Sequence, residues 1–231
     1  MKNVLITGIS AGLGKALAEK YSGTGHTVSG LSRSEVKGYN HIECDLIWKH
    51  QIPDKLRKLL KDIGEIDVVI LNAGVLGQIE FSNKVVLSEL ERVLDINTIS
   101  NKMIIDYLIN KKIKVKQVVA ISSGASISTY PGWGVYSISK AALNMMMKVY
   151  AIENPKIHFL SLSPGPVNTS MQDFICEEID GEKFGWKRKF VELRENAGAP
   201  SPENTADKIY GLLPRLKEEL ESGNFVDIRK L

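Results

Sequence analysis

Cysteine is nearly absent: Cys44 and Cys176 are the only two in 231 residues. Neither has a paired spacing or a group of histidines nearby, so neither a disulfide framework nor a zinc site is expected, and a reducing compartment fits. Net charge is small as well. Thirty basic residues against 27 acidic ones give +3, too little and too dispersed for a surface that tracks nucleic-acid phosphates, although a pI near 8.7 suits attraction to small anions. Long apolar runs are missing. The opening Met1-Lys2-Asn3-Val4-Leu5-Ile6 reaches Gly8 before a segment long enough for a signal peptide or a membrane span has formed. A soluble, cytoplasmic protein with no nucleic-acid and no membrane partner is therefore expected. Internal repeats, low-complexity tracts and Gly/Ser linkers are lacking too, so nothing divides the chain. At 43% hydrophobic and 25% charged residues, it reads as one α/β domain over 1–231.

What is present alternates between short β-branched runs and longer helical patterns. Strands are expected at 3–7, 27–31, 67–71, 115–122 and 157–162, with a final edge strand at 224–228. Helices are expected at 14–22, 52–62, 87–110 and 135–152. Val68-Val69-Ile70-Leu71 and Val118-Val119-Ala120-Ile121 are apolar on both faces, as strands of a parallel sheet covered on both sides must be. A doubly wound sheet follows. Between 165 and 200 the alternation lapses into a stretch with Phe174, Phe184, Trp186 and Phe190, read as a partly helical cover over the sheet's carboxyl edge. Ser201-Pro202 then has the form of an N-cap followed by proline at the first helical position, opening a helix to about Leu213.

Directly after the first strand comes Thr7-Gly8-Ile9-Ser10-Ala11-Gly12-Leu13-Gly14, with a helical pattern from Lys15. Glycine permits the tight turn and lets backbone N–H groups approach a pyrophosphate at the positive end of a helix dipole. Glycine-rich turns often only turn the chain. With a strand before and a helix after, dinucleotide binding through Gly8, Ser10, Gly12, Leu13 and Gly14 is the stronger reading. The second strand ends at Leu31-Ser32-Arg33, where such a fold meets the adenosine ribose. An acidic residue there would repel a 2′-phosphate, whereas Ser32 and Arg33 offer a hydroxyl and a guanidinium to it, so NADP(H) is expected over NAD(H). The plain alternative is that Arg33 is one of many surface cations. Asp45, before Leu46, either accepts from an adenine amino group or merely caps its loop.

Ser123, Tyr136 and Lys140 carry the catalytic expectation. Tyr136 and Lys140, four apart at the start of a helix, project from one face. Tyr107 and Lys111 share that spacing, but the residue thirteen before Tyr107 is Leu94, whereas Ser123, thirteen before Tyr136, ends a buried strand at the ligand-binding edge. Carbonyl reduction puts negative charge on oxygen as hydride arrives, so a proton must be delivered and the oxyanion held. An unperturbed phenol near pKa 10 would have to fall by roughly 3 units, about 4 kcal/mol, to sit near neutrality, and an adjacent ammonium favours that. Ser122 is expected to turn toward backbone or core.

These motifs together resemble the short-chain dehydrogenase/reductase family. Thr7-Gly8-x-x-x-Gly12-x-Gly14, Asn72-Ala73-Gly74, Asn97, Ser123, Tyr136-x-x-x-Lys140 and Pro164-Gly165 stand in that family's order, over roughly 3–228. The resemblance implies a single doubly wound Rossmann domain with a seven-stranded parallel sheet flanked by helices. It also implies a small-molecule carbonyl substrate and a homodimer or tetramer through the two long helices. By the same similarity Asn97 would hold a water linking Lys140 to solvent in a proton relay, and Asn72, Ala73 and Gly74 would line the adenosine ribose side. Lys140 would also grip the nicotinamide ribose, and Pro164, Gly165, Val167 and Thr169 would meet the nicotinamide. Tyr130-x-Gly132-Trp133, Glu153-Asn154-Pro155, Thr169-x-Met171-Gln172 and Gly223-x-x-Val226-Asp227 are similar to sepiapterin reductases and bacterial benzil reductases, which reduce a ketone beside a second carbonyl with NADPH. Trp133, Met171 and Asp227 are then substrate candidates. Asp227 either anchors a pterin or ties down the last strand. Phe174, Phe184 and Trp186 either stack on an aromatic substrate or fix a lid, and Met145-Met146-Met147 reads as core or subunit contact. From another class, a non-catalytic NADP(H)-binding sensor or scaffold remains the alternative.

Overall fold

Strands whose residues are apolar on both sides need two covering layers, and the computed structural model, which describes residues 2–196 and 198–231, provides them. Met1 and Ala197, the latter inside the 165–200 cover, lie outside the described residues. Strands β1 (Asn3–Thr7), β2 (Thr27–Ser32), β3 (Asn40–Glu43), β4 (Glu65–Leu71), β5 (Lys114–Ile121), β6 (His158–Ser163) and β7 (Asn224–Asp227) form one sheet in the order 3-2-1-4-5-6-7, every pair parallel.

Successive side chains on each strand go to opposite cores. Leu5, Val69, Leu71, Val118, Ala120 and Phe159 enter one face, packed with Leu56, Ile104, Leu108, Leu143 and Met147. These come from α2 (Ile52–Leu59), α4 (Ser100–Asn110) and α5 (Gly134–Glu153). Val4, Ile6, Ile70, Val119, Leu160 and Leu162 enter the other, under α1 (Gly12–Gly23) and α8 (Pro202–Glu219), where Leu17, Ile209, Leu213 and Leu216 meet them. Each such Leu, Ile or Val contributes about 1.5–3 kcal/mol of burial. Strand order reverses between β1 and β4, which pair through Val4–Val68, Leu5–Val69 and Ile6–Ile70, so a crevice opens beyond their carboxyl ends. Among the described residues no helix is long and apolar enough to cross a membrane.

Several boundaries differ from expectation. The helix expected over 87–110 is broken into α3 (Leu87–Leu94), a π-helical turn at Asp95–Ile99, and α4. The extra residue in that turn re-aims Asn97, as π turns at functional sites do. The last helix runs beyond Leu213 to Glu219. Pro214 removes one intrahelical bond, but Leu213 and Leu216 are both buried and hold the helix on course. Helix α2 stops at Leu59, short of 62, because Leu60 leaves the helical region and Ile63 turns back to its carbonyl. Strand β7 ends at Asp227, and Ile228–Lys230 forms a 3-10 turn. The cover contains α6 (Ser170–Glu177) and α7 (Lys187–Glu195).

Candidate active site

A cavity of about 700 Å³ lies over the β1–β4 crevice. The β1–α1 turn forms its floor. Ala11 starts α1 with no described side chain capping it and no acidic residue in the first turn, so the amides of Gly12 and Leu13, which line the cavity, have no side-chain acceptor. Gly14 does not line it. A Cβ on Gly14 would stand 2.1 Å from the Gly8 carbonyl oxygen and 2.4 Å from Asn72 Nδ2, so only glycine lets α1 seat this close to the turn. Asn72 fixes the turn from the other side, donating Nδ2 to the Thr7 carbonyl at 3.0 Å, while the buried Thr7 hydroxyl accepts from the Asn72 and Ala73 amides at 3.0 Å each. An uncapped helix start and a glycine cradle fit the pyrophosphate of a dinucleotide.

Gly8, Ser10, Ser32, Arg33, Asp45, Leu46, Asn72, Ala73 and Gly74 all line this cavity. Ser32 contributes less than expected. Its hydroxyl is buried and donates to the Ser34 carbonyl at 2.9 Å, and it also bonds His41 Nε2 at 2.8 Å, so it is already satisfied. Arg33 is exposed and its guanidinium makes no ion pair among the described residues. Asp45 faces the cavity and also caps its loop, one oxygen accepting the Ile47 amide at 3.1 Å.

Ser123, Tyr136 and Lys140 meet on one wall. Burial pushes the Tyr136 phenol up to about 12, against the pull of its hydrogen bond with Ser123. Burial also draws the Lys140 ammonium down to about 8; Nζ donates to the Ile121 carbonyl at 2.8 Å and lies 5.7 Å from the Tyr136 ring centre. The descent of the phenol toward neutrality expected from sequence is thus not produced by the chain's own groups. The cost of burying charge outweighs them.

A polar network holds this wall in place. Ser122 turns away, donating to Asn144 Oδ1 at 2.6 Å; Asn144 donates to Ser126 Oγ at 2.7 Å, and Ser126 to the Ser123 carbonyl at 2.6 Å. Tyr136, Lys140 and Asn144 stand at successive four-residue steps on α5, a spacing in which the sequence held the signal. Fully buried Asn97 clamps Val75 with two 2.8 Å bonds and donates to Ser139 Oγ at 2.9 Å. It does not line the cavity, but stands beside Lys140 across Gly74. A Cβ on Gly74 would lie 3.1 Å from Asn97 Oδ1 and 3.4 Å from Lys140 Nζ.

Pro164, Gly165, Val167 and Thr169 line the next stretch, and the Thr169 methyl would be 3.3 Å from a Cβ on Gly12, closing the cover against the turn. Trp133 and Met171 line the cavity, together with Tyr130, Lys189 and Phe190. Trp133 and Phe190 stack with ring centres 5.6 Å apart. Of the cover's four aromatic residues only Phe190 reaches the cavity wall. Phe184 is buried against Phe81 and Trp186, Trp186 donates its indole N–H to the Pro131 carbonyl at 2.8 Å, and Phe174 lies elsewhere on the surface. Met147 is core, while Met145 is exposed on α5. Asp227 does not line the cavity either; its carboxylate is taken by Arg229, which does and which the sequence did not single out. Among the described residues no group of His, Cys, Asp and Glu has the makings of a metal site, and Cys44 and Cys176 are buried and free.

Over residues 2–180 the chain matches the family model described as short chain dehydrogenase. It is 30% identical to the benzil reductase ((S)-benzoin forming) of Bacillus subtilis, across 100% of this chain and 99% of that one. It is 31% identical to the sepiapterin reductase of Rattus norvegicus, across 76% of this chain and 64% of that protein. The crystal structure of the KRED1-Pglu enzyme superposes with a TM-score of 0.88 at 28% identity, covering 98% of this chain and 100% of the other. The seven-stranded parallel sheet agrees with these matches, and the chain belongs to the short-chain dehydrogenase family of oxidoreductases.

Proposed function

We propose that the chain is an NADPH-dependent carbonyl reductase that reduces a ketone, a vicinal dicarbonyl or a pterin side-chain ketone, with Tyr136 as proton donor. The observation that carries this reading is the convergence of Ser123, Tyr136 and Lys140 on one cavity wall, facing the glycine turn. A bound nicotinamide dinucleotide supplies the hydride. The α1 start with Gly8, Ser10, Gly12 and Leu13 would take its pyrophosphate, Arg33 its 2′-phosphate, Asn72, Ala73 and Gly74 its adenosine side, and Pro164, Gly165, Val167 and Thr169 its nicotinamide side.

The residues' own chemistry then follows. Burial keeps the Tyr136 phenol protonated, so it has a proton to give as charge builds on the substrate oxygen. Ser123 donates a hydrogen bond to that oxygen as its charge develops. The Tyr136 phenolate left behind is held by Ser123 and by the Lys140 ammonium. The ammonium's own affinity for its proton is lowered enough to pass one on, and in this reading Asn97 stands at the head of the relay that restores it. A ketone beside a second carbonyl is supported by the benzil and sepiapterin reductases among the relatives. Self-association through α5 belongs to the same reading, supported by its exposed Ile138, Met145, Val149 and Ile152.

The test is NADPH consumption by the purified protein with benzil, sepiapterin, methylglyoxal and a simple aldehyde, repeated with NADH. Turnover of a dicarbonyl with NADPH is expected. Tight NADPH binding without turnover of any carbonyl would favour the sensor or scaffold instead.

A further inference from the structure

The cavity is lopsided in charge. Among the described residues lining it are five cations, Arg33, Arg92, Lys140, Lys189 and Arg229, and a single carboxylate, Asp45. Arg33 and Asp45 stand at the nucleotide end, Lys140 serves the proton transfer, and Arg92 is held by Glu89 through two bonds of 2.7 and 2.8 Å. Lys189 and Arg229 remain, Lys189 at the aromatic end beside Tyr130 and Arg229 on the same cavity beside Gly165 and Gly124. Lys189 Nζ is 3.5 Å from the Tyr130 hydroxyl. No carboxylate lines that end among the described residues.

Arg229 is paired with a carboxylate as Arg92 is, but it is placed beside the loop that follows Ser123. Its Nε donates to both oxygens of Asp227, at 2.9 and 3.2 Å, and Nη2 to Oδ2 at 2.5 Å. Asp227 is only 8% exposed and Arg229's side chain 56%, so the carboxylate is the buried anchor and the guanidinium the presented group. The stem crosses Gly165, where a Cβ would come within 2.5 Å of Arg229 Cδ, and Nη2 ends 3.6 Å from the Cβ position of Gly124. The guanidinium therefore spans the two loops that flank the reacting position, one residue from Ser123. Of its five N–H donors Asp227 occupies two, leaving three at the cavity wall.

We infer that Arg229, oriented by Asp227 and seconded by Lys189, recognises an anionic group on the substrate, and that the substrate class is an apolar or aromatic 2-oxo acid whose carboxylate sits beside the reacting carbonyl. A planar fork of donors suits a carboxylate, and Tyr130, Trp133 and Phe190 supply the apolar wall for the rest of the molecule. The inference rests on the reductase reading above. It also gives Asp227 a different task from anchoring a pterin, that of positioning Arg229.

The experiment measures kcat/KM with saturating NADPH for phenylglyoxylate and for its neutral analogue 1-phenyl-1,2-propanedione, in the natural protein, Arg229→Gln and Arg229→Lys, with melting temperature followed for each. Arg229→Gln is expected to lower the ratio of phenylglyoxylate to diketone kcat/KM by about 10- to 100-fold, mostly through KM, and Arg229→Lys to restore part of it. Independently of any variant, added salt should raise the natural protein's KM for phenylglyoxylate more than for the diketone. An unchanged ratio in Arg229→Gln, or a natural protein that reduces the diketone and ignores phenylglyoxylate, would overturn the inference and leave the reductase standing. Failure of the natural protein to reduce either compound overturns the inference alone if benzil, sepiapterin, methylglyoxal or the aldehyde is turned over, and overturns the reductase reading with it if none is.

Discussion

Asn144 accepts the Ser122 hydroxyl at 2.6 Å and in the same plane of contacts donates to Ser126 at 2.7 Å, which ties the end of β5 to the helix that carries Tyr136 and Lys140. Ser123 is thereby held by a residue that never touches the substrate. Asn144→Ala breaks both bonds and leaves a buried Ser122 hydroxyl unpaired, at a cost of about 1–3 kcal/mol in urea unfolding. It should lower kcat more than it raises KM. Asn144→Asp, which still accepts from Ser122 but no longer donates to Ser126, should fall between the two. Equal kinetics in all three proteins would remove Asn144 from this positioning role.

Gly14 is a steric requirement rather than a source of flexibility. A methyl at this position meets the Gly8 carbonyl at 2.1 Å, and backbone cannot yield as a side-chain end can. Gly14→Ala is therefore expected to cost about 1–3 kcal/mol of stability and to weaken NADPH binding, read by urea unfolding and by nucleotide fluorescence. Unaltered stability and affinity would mean that α1 seats itself differently.

Lys140 makes stability depend on pH in a defined direction. Its folded pKa of about 8 lies below the 10.5 of an unperturbed lysine, so between those values the unfolded chain binds more protons and stability rises with pH. The burial penalty is fully present below about pH 8 and is relieved as the ammonium deprotonates, about 3 kcal/mol in all. Tyr136, raised from 10 to about 12, acts in the opposite sense only above pH 10, whereas the buried Cys44 and Cys176 thiols, pushed up from their usual 9, oppose Lys140 within pH 8–10, so the comparison there is with a Lys140 variant that keeps both thiols. Between pH 8 and 10 the melting temperature of the nucleotide-free protein should rise relative to that of Lys140→Met; a constant difference between the two would contradict this.

Arg33 is the test of nucleotide choice. Reversing its charge in Arg33→Asp should shift the NADPH-to-NADH ratio of kcat/KM by about 10- to 100-fold toward NADH, the worth of one charge-assisted contact. An unmoved ratio would place the 2′-phosphate on other groups. Ser32→Ala should matter less for the ratio, because its hydroxyl is already spent on Ser34 and His41.

Local pattern made much of this molecule legible. Runs such as Val118-Val119-Ala120 announce a strand covered on both faces, and each residue does enter alternate cores. Thr7 to Gly14 and the Tyr136/Lys140 spacing depend on neighbours in sequence, and Ser123 on the end of a strand, so the cavity's main walls could be anticipated. The π turn at Asp95–Ile99 could not, since one extra residue in a turn leaves the helical pattern of 87–110 nearly intact. Arg229 was hidden for another reason. Its reach over Gly165 depends on β7 pairing with β6 through Ser163 and Asp227, a long-range contact with no local mark. The cover was equally opaque: Phe174, Phe184 and Trp186 are open in sequence to either stacking on a substrate or fixing a lid, and tertiary packing turns all three from the cavity while Phe190 reaches it.

The most direct test of the central claim is NADPH consumption by Tyr136→Phe beside the natural protein, with the dicarbonyl that the natural protein reduces fastest and with NADPH binding measured in both. The substitution removes one buried hydroxyl bonded to Ser123 and keeps the ring in its aromatic packing against Trp133. The account predicts that Tyr136→Phe binds NADPH as the natural protein does and turns over at least about a hundredfold more slowly, the loss of a positioned general acid. Turnover at the natural rate would contradict it.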